Sequence, residues 1–492
     1  MKRVAWIGLV ALLGARAAAA ERGEEYLAVV RHFADTLLDK GRDHYGPKQT
    51  ALWCGVINVE DYSVPESAKE VPATPGVREK DRSVGGCNLY QDVSAIHAFR
   101  ALSKVVGDER YAQATRDYMR DYIKVAQSPV TGQLAWGEHA YYDVFKDKVA
   151  GPAIHELLEW TPPWELMWEV NPEGTSREIT ALKYHFCAED PGSAGWMFNR
   201  HADLGKIMYQ PADFTTRTRS MPWIKHSGLY ACSYAFLASK ASSADLTYRE
   251  KGIGELYWNH RDPKTDLVQS CLNTPQTVEN GQYSDLQNSM LCYYLLKTAR
   301  MDPANGAARE HALAMLKALD HYHWDPAKNI YRYWVRTDGT PVATAETAKE
   351  EAANPWTFSY GEGMIPRYGR IMAYAARTEK DDTCRAAAIR VAGLLKAAEL
   401  PASFTPEEIG FGIQLNLDLY ELTAERGYLE EADRLGKIAV EKLYANGLIR
   451  RGPGEKFYEA KVGPGDLAAG LLRLSLRLEG KPDPEGIYDW SF

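Results

Sequence analysis

The sequence predicts an all-α fold, a toroid of helical hairpins. Three observations lead there. Apolar residues recur at helical spacing along most of the 492 residues. A short turn motif recurs between those stretches. The strongly alternating runs that strands need are scarce. Hairpins arranged in a ring bury, against their neighbours, apolar faces that no single hairpin could bury alone.

The chain opens with "MKRVAWIGLVALLGARAAAA". Lys2 and Arg3 precede a short apolar run, and Ala18-Ala19-Ala20 offers a small-residue cleavage site. This pattern is that of a secretory leader, too short in its apolar part to span a membrane. The expected layout is therefore a leader over 1–20 and a single catalytic domain over 21–492. No later run is apolar enough to span a membrane, so the exported protein is expected to be soluble.

Helical patterning then sets in. In 90–106, Val93, Ile96, Ala98, Phe99, Leu102 and Val106 fall mostly on one face. Gly107-Asp108 breaks the chain, and "ERYAQATRDYMRDYIKVA" begins a second helix with Tyr111, Ala114, Tyr118 and Tyr122 at spacings of three and four. Further helices are expected over 284–298, 307–319, 370–377, 384–400, 411–423 and 429–444. Residues 61–86, rich in Pro, Glu and Lys, read as a long surface loop.

Between helices lies a weak repeat: "SPVTGQLAW" from Ser128, "DPKTDLVQS" from Asp262 and "DPAKNIYRY" from Asp325. Each begins Ser/Asp-Pro, passes two residues, and reaches Gly, Asp or Asn. Proline fixes φ at the turn, and Gly, Asn and Asp tolerate the left-handed region. The unit is thus a helix, a sharp turn, a short extended piece and another helix.

Formal net charge is −8, and removing a leader with three basic residues and no acid leaves about −11. That excludes a nucleic-acid or anionic-membrane partner. The seven cysteines are scattered without C-x-x-C, which fits neither a disulfide scaffold nor a zinc ribbon. Against this acidic background, 200–226 holds five Lys/Arg and two Asp, a local basic island that includes Arg217, Arg219, Lys225 and His226. Such an island suits a carboxylate-bearing ligand, where arginine pairs in bidentate fashion and lysine acts as a point charge.

The densest chemistry lies between Trp136 and His226, in "WGEH", "HELLEWTPPWELMWEVNP" and "GWMFNRHADLG". These segments supply His139, His155, Glu156 and His201. Imidazole with carboxylate suits manganese, zinc, cobalt or iron better than magnesium. The spacings are long, so the pattern also fits histidines that cap helices or bond buried carbonyls. Trp136, Trp160, Trp164, Trp168, Trp196 and Trp223 gather in the same region. Indole rings stack on the C–H faces of sugars, so a carbohydrate cleft is natural there. Trp164 and Trp168, one turn apart, are expected on the interior wall.

The order W-G-E-H, H-E-L-L-E-W-T-P-P-W-E-L-M-W-E-V-N-P, W-M-F-N-R-H resembles the family-2 polysaccharide lyases, bacterial pectate lyases with an (α/α)7 barrel. The resemblance is densest over about 85–230. It implies a divalent metal, most often Mn2+, held by His139, Glu156 and His201, with Arg200 as the base. It also implies β-elimination on polygalacturonate or a related uronan, unsaturated products, and an exported, periplasmic or secreted protein. Arg217, Arg219, Lys225 and Trp223 are then the expected substrate contacts. The chain departs from the family's usual W-G-G-H at Glu138, and carries Ala202 where a glycine is expected. Both positions lie beside the ligands and bear on which uronan fits.

The chemistry is coherent. The proton on carbon 5 is weakly acidic while the neighbouring carboxylate keeps its charge. A metal or arginine on that carboxylate stabilises the enolate-like transition state. Arginine acts as a base only in its neutral form, which nearby cations and burial favour. A competing assignment makes Arg200 a carboxylate clamp, with Lys225 or a tyrosine as base. Two other classes compete: a glycoside hydrolase using carboxylates among Glu156, Glu165, Glu169 and Asp203, and a non-catalytic carbohydrate-binding protein.

Overall fold

In a computed structural model of the chain, the described residues are 2–74, 77–157, 160–187, 197–208, 221–269, 271–272, 282–336, 338, 340, 354–356 and 364–484. They form fourteen α-helices joined by short strand pairs. In chain order these are α1 (Lys2–Lys40), α2 (Leu89–Val106), α3 (Glu109–Ala126), α4 (Trp164–Val170), α5 (Pro172–Ala181), α6 (Ile224–Lys240) and α7 (Ala244–Asn259). Then follow α8 (Asp285–Met301), α9 (Gly306–His323), α10 (Ile365–Glu379), α11 (Asp382–Ala397), α12 (Pro406–Thr423), α13 (Arg426–Leu443) and α14 (Pro464–Leu478).

Burial sorts them into two layers. In α6, α8, α10, α12 and α14 nearly every residue is buried, on all sides of the helix. In α3, α9, α11 and α13 burial is confined to one stripe at helical spacing. A helix buried all round lies inside and one buried on a stripe lies outside. Packing follows: α6 lies against α8, α8 against α10, α10 against α12, α12 against α14, and α14 against α2. The ring returns to α6 through α3, the short α4 and α5. Each even-numbered helix from α2 to α12 pairs with the odd-numbered one that follows, and α14 pairs with α1, which gives seven hairpins among the described residues, the toroid the sequence predicts.

Local signals explain the boundaries. Asn88 caps α2, accepting from the Tyr90 amide, and Gly107 ends it with φ 68°. Thr405 and Glu408 form a reciprocal capping box at the start of α12. The repeated turns also form. Gly132, Asp266 and Asn329, the fifth residues of the three repeats, all have positive φ (84°, 55° and 55°). In two of them the fifth residue's amide bonds the first residue's carbonyl, Gly132 to Ser128 at 2.9 Å and Asp266 to Asp262 at 2.8 Å.

The expectation of a surface loop over 61–86 is corrected. Val64, Val71 and Val84 are buried, and Arg82 is 5% exposed. Arg82 forms a buried two-point pair with Glu459, Nε–Oε1 2.7 Å and Nη2–Oε2 2.9 Å. The Pro72 carbonyl accepts from both Arg82 and Arg451. The segment is a packed strap across the hairpin before α14. Its charged composition misleads because Arg78, Asp81 and Arg82 pair inward, while Asp61, Glu66, Lys69, Glu70, Glu79 and Lys80 stay exposed.

The expected leader forms the start of α1. Packing against α14 and α13 begins beyond it, with Arg22 bonded to Asp433 and Tyr26, Val30, Phe33, Ala34 and Leu37 buried. No helix among the described residues is long and apolar enough to cross a membrane.

Candidate metal centre

The three expected ligands arrive from three directions. His139 follows a turn in which Gly137 adopts φ 96°. A Cβ there would meet the Glu156 carbonyl oxygen at 2.2 Å, so glycine is what lets the two backbones touch. The Gly137 carbonyl in turn accepts from the Asn88 side chain at 2.8 Å, which seats the turn on the N-terminus of α2. Glu156 and His201 are neighbours by strand register. The strand Ile154–His155 pairs antiparallel with Ala202–Asp203, His155 opposite Ala202, so the next step along each chain sets Glu156 across from His201. Asn199 fixes the entry, its side chain accepting from the His201 amide at 3.0 Å.

One ligand atom from each of His139, Glu156 and His201 lies within 4.8 Å of the others. His201 Nε2 is 3.3 Å from Glu156 Oε1, and His139 Nε2 is 3.8 Å from Glu156 Oε2. Glu156 is fully buried, yet neither of its oxygens has a hydrogen-bond partner among the described residues; nor has His201 Nε2. Buried polar atoms are almost always partnered, and a buried carboxylate between two imidazoles without one fits a divalent cation. The donor set, two nitrogens and a carboxylate, suits Mn2+ or Zn2+.

Behind the ligands stands a second layer that sequence reasoning missed. His139 Nδ1 faces Asp81 Oδ1 at 3.5 Å while Nε2 faces Glu156, the arrangement in which a carboxylate orients a ligating imidazole. Arg78 braces the pair, at 2.5 Å from Asp81 Oδ2 and 2.7 Å from Glu138 Oε2. Burial alone would raise the Asp81 carboxyl, but His139 and Arg78 together hold it below its ordinary value. Glu138, the departure from the family pattern, is 7% exposed and 3.6 Å from His139 Nε2. With Asp81 and His139 it makes a second group of metal-ligating type that shares a histidine with the first.

A buried relay joins the ligand segments from below. Glu178 is 2.6 Å from His155 Nε2, His155 Nδ1 is 2.7 Å from His185 Nε2, and His185 Nδ1 is 2.7 Å from the Asn199 carbonyl. Burial raises the Glu178 carboxyl well above its usual range and lowers His155 to about 3; burial and then the neighbouring His155 lower His185 well below its ordinary value. With burial disfavouring charge on all three, one assignment runs along the chain: Glu178 donates to His155, His155 to His185, and His185 to the Asn199 carbonyl, the Trp136 indole sharing the lone pair of His155 Nε2. The Leu134 amide and the Trp136 indole donate to Glu178 and His155 respectively. His155 is thus a structural histidine.

Arg200 stands at the rim, 24% exposed, with Nε 3.7 Å from Glu156 Oε1 and its guanidinium 5.7 Å from the Trp223 ring. Trp223 caps α6 with φ 63°, a strained conformation for a bulky side chain and one that often marks functional sites. Lys225 is buried in the first turn of α6. Arg217 and Arg219, and with them Trp196, lie outside the described residues. The carboxylates of the hydrolase alternative do not gather: Glu165 pairs with Lys240, Glu169 with Arg100, and exposed Asp203 caps the Gly205 amide. Trp164 is buried and Trp168 half-buried, both against Phe236.

Solved structures share the architecture. Cellobiose 2-epimerase from Bacillus thermoamylovorans B4167 is 10% identical, with 92% of this chain and all of that one covered and a TM-score of 0.50. A D-mannose isomerase (10% identity, 92% and 96% covered, TM-score 0.46) and a family 76 glycoside hydrolase from a bovine Bacteroides thetaiotaomicron strain (12%, 92% and 77%, 0.46) are also similar. At such identities the likeness speaks of fold alone. Residues 78–233, the stretch that carries Arg78, Asp81, His139, Glu156, His201 and Arg200, match the family model of the periplasmic pectate lyases.

Proposed function

We propose that the protein is an exported, metal-dependent uronan lyase, cleaving polygalacturonate or a related uronic-acid polysaccharide by β-elimination. The observation that carries this reading is Glu156: a fully buried carboxylate, without a hydrogen-bond partner among the described residues, set between two imidazoles and beside an arginine. The family match over 78–233 supports it.

In this reading His139, Glu156 and His201 hold a divalent ion, Mn2+ foremost, with Asp81 fixing the His139 ring. When bound, the ion supplies a Lewis acid for the uronate carboxylate next to carbon 5. Arg200, in its neutral form, takes the carbon-5 proton from its place at the rim. The electron pair left behind forms the double bond between carbons 4 and 5, the bond from carbon 4 to the glycosidic oxygen breaks, and that oxygen gains a proton. Trp223 carries the Arg200 guanidinium on its ring and offers a face to the sugar. Lys225 and the basic side chains Arg217 and Arg219 contribute to binding neighbouring carboxylates.

The test is direct. The mature protein with Mn2+ and polygalacturonate is expected to generate ultraviolet absorbance from the conjugated double bond, and EDTA should stop it. New reducing ends without that absorbance would assign a hydrolase. No turnover across a panel of uronans, with or without metal, would contradict the reading.

A further inference from the structure

A second cavity lies at the opposite mouth of the ring. It has a volume of about 540 Å3 and is lined by the C-terminal halves of α2, α6, α8 and α10 together with the start of α4. The metal centre sits by the N-termini of α2 and α6. From Tyr90 to Arg100 along α2, or from Trp223 to Phe236 along α6, is about 15–20 Å at 1.5 Å per residue. The two sites are therefore separate.

The cavity's charge is the reverse of the chain's. Arg100, Lys104, Lys297 and Arg300 line it against one acid, Glu165, in a protein of formal charge −8. Glu165 is already paired with Lys240 at 2.8 Å. Arg100 pairs through Nη2 with Glu169, but its buried Nη1 has no hydrogen-bond partner among the described residues. Arg300 donates to the Tyr374 hydroxyl at 3.1 Å, which fixes its plane. His97, also on the wall, is held neutral, its basicity lowered to about 3 by burial and then by Lys297 and Arg100. The rest of the lining is mostly apolar and includes three rings, Trp164 stacked on Phe236 at 6.4 Å and Tyr374, beside Pro162, Pro163 and Leu166. A basic pocket with flat apolar walls has the chemistry to bind a ring that carries an anion.

We propose that this cavity is a second, non-catalytic binding site for a small anionic sugar, its carboxylate or phosphate held by Arg100, Lys297 and Arg300 and its ring by Trp164, Phe236 and Tyr374. The volume admits one or two sugar units. The site does not depend on the lyase reading, because none of its residues belongs to the metal centre.

The test is calorimetric titration of the full mature protein, stripped with EDTA, with galacturonate, digalacturonate, glucose 6-phosphate and neutral galactose. One equivalent of at least one anionic sugar should bind while galactose does not, and the uronate and phosphate arms identify the preferred anion. Arg100→Ala and Lys297→Gln should each weaken binding at least tenfold, with folding checked by circular dichroism. Glu156→Gln should leave it unchanged. Failure of every anionic sugar to bind, equal binding of galactose, or loss in Glu156→Gln with both cavity variants unaffected would overturn the proposal.

Discussion

Replacing Glu156 by glutamine keeps the shape of the side chain and removes its charge. In the metal-free protein that charge is fully buried, with Arg200 Nε at 3.7 Å as the nearest cation and no hydrogen bond to either oxygen among the described residues. The metal-free variant should therefore melt no lower than the metal-free wild type, because an uncompensated buried carboxylate is costly. With metal the order reverses. At a concentration one hundred times Kd, bound metal stabilises the wild type by about 2.7 kcal/mol. At about 2.1 cal/mol/K per residue, 492 residues give an unfolding entropy near 1 kcal/mol/K, so Tm should rise by about 2.6 °C. A site weakened a hundredfold retains only about 0.4 kcal/mol at the same concentration, a shift of about 0.4 °C. Differential scanning calorimetry with and without Mn2+ reads both. A variant that keeps the full metal-induced rise would show that the ion does not rest on Glu156.

Other outcomes follow from the same contacts. Asp81→Asn should weaken metal binding by about 10–100-fold in isothermal titration, since it loosens the His139 ring rather than removing a ligand, and should lower the metal-free melt as well because it also breaks the ion pair with Arg78. Glu178→Gln should be nearly neutral, its amide oxygen accepting from Leu134 and its NH2 donating to His155, whereas Glu178→Ala should cost about 3 kcal/mol in urea unfolding. Asp92, buried and bonded by Tyr118, has its carboxyl raised to about 8 by desolvation. The native state holds that proton while the unfolded chain releases it near 3.9, so its contribution is full below about pH 4 and is lost as pH rises towards 8. Asp92→Asn should flatten that decline in urea midpoints. Asp418→Asn should destabilise by about 3 kcal/mol, because it removes the buried carboxylate that Arg473, 2.7 Å away, and Arg370 share, leaving Arg473 with Asp483 at 3.1 Å.

The outer helices were legible because one polar face leaves a clear period, as in α3 and α13. The helices α6 and α14, buried on every side, carry no such contrast and were missed, whereas α8 and α12, buried as fully, were expected over 284–298 and 411–423. The turns at Gly132, Asp266 and Asn329 were readable from local chemistry alone, as φ is a local property. His139, Glu156 and His201 were singled out as candidate ligands only through the order of their motifs; register and the close approach at Gly137 bring them together. Asp81, Arg78, Glu178 and His185 left no signal. Asp81 reaches His139, and Arg78 reaches Glu138, from a strap whose composition reads as solvent-exposed, and Glu178 and His185 act through contacts that only the folded chain creates.

The central claim is that His139, Glu156 and His201 hold one divalent ion. Anomalous diffraction at the manganese edge, on crystals of the mature protein grown with Mn2+, tests it most directly. The account predicts one peak within about 2.1–2.3 Å of His139 Nε2, a Glu156 oxygen and His201 Nε2. A peak seated instead on Asp81 and Glu138, or density at these three side chains with no anomalous signal, would contradict it.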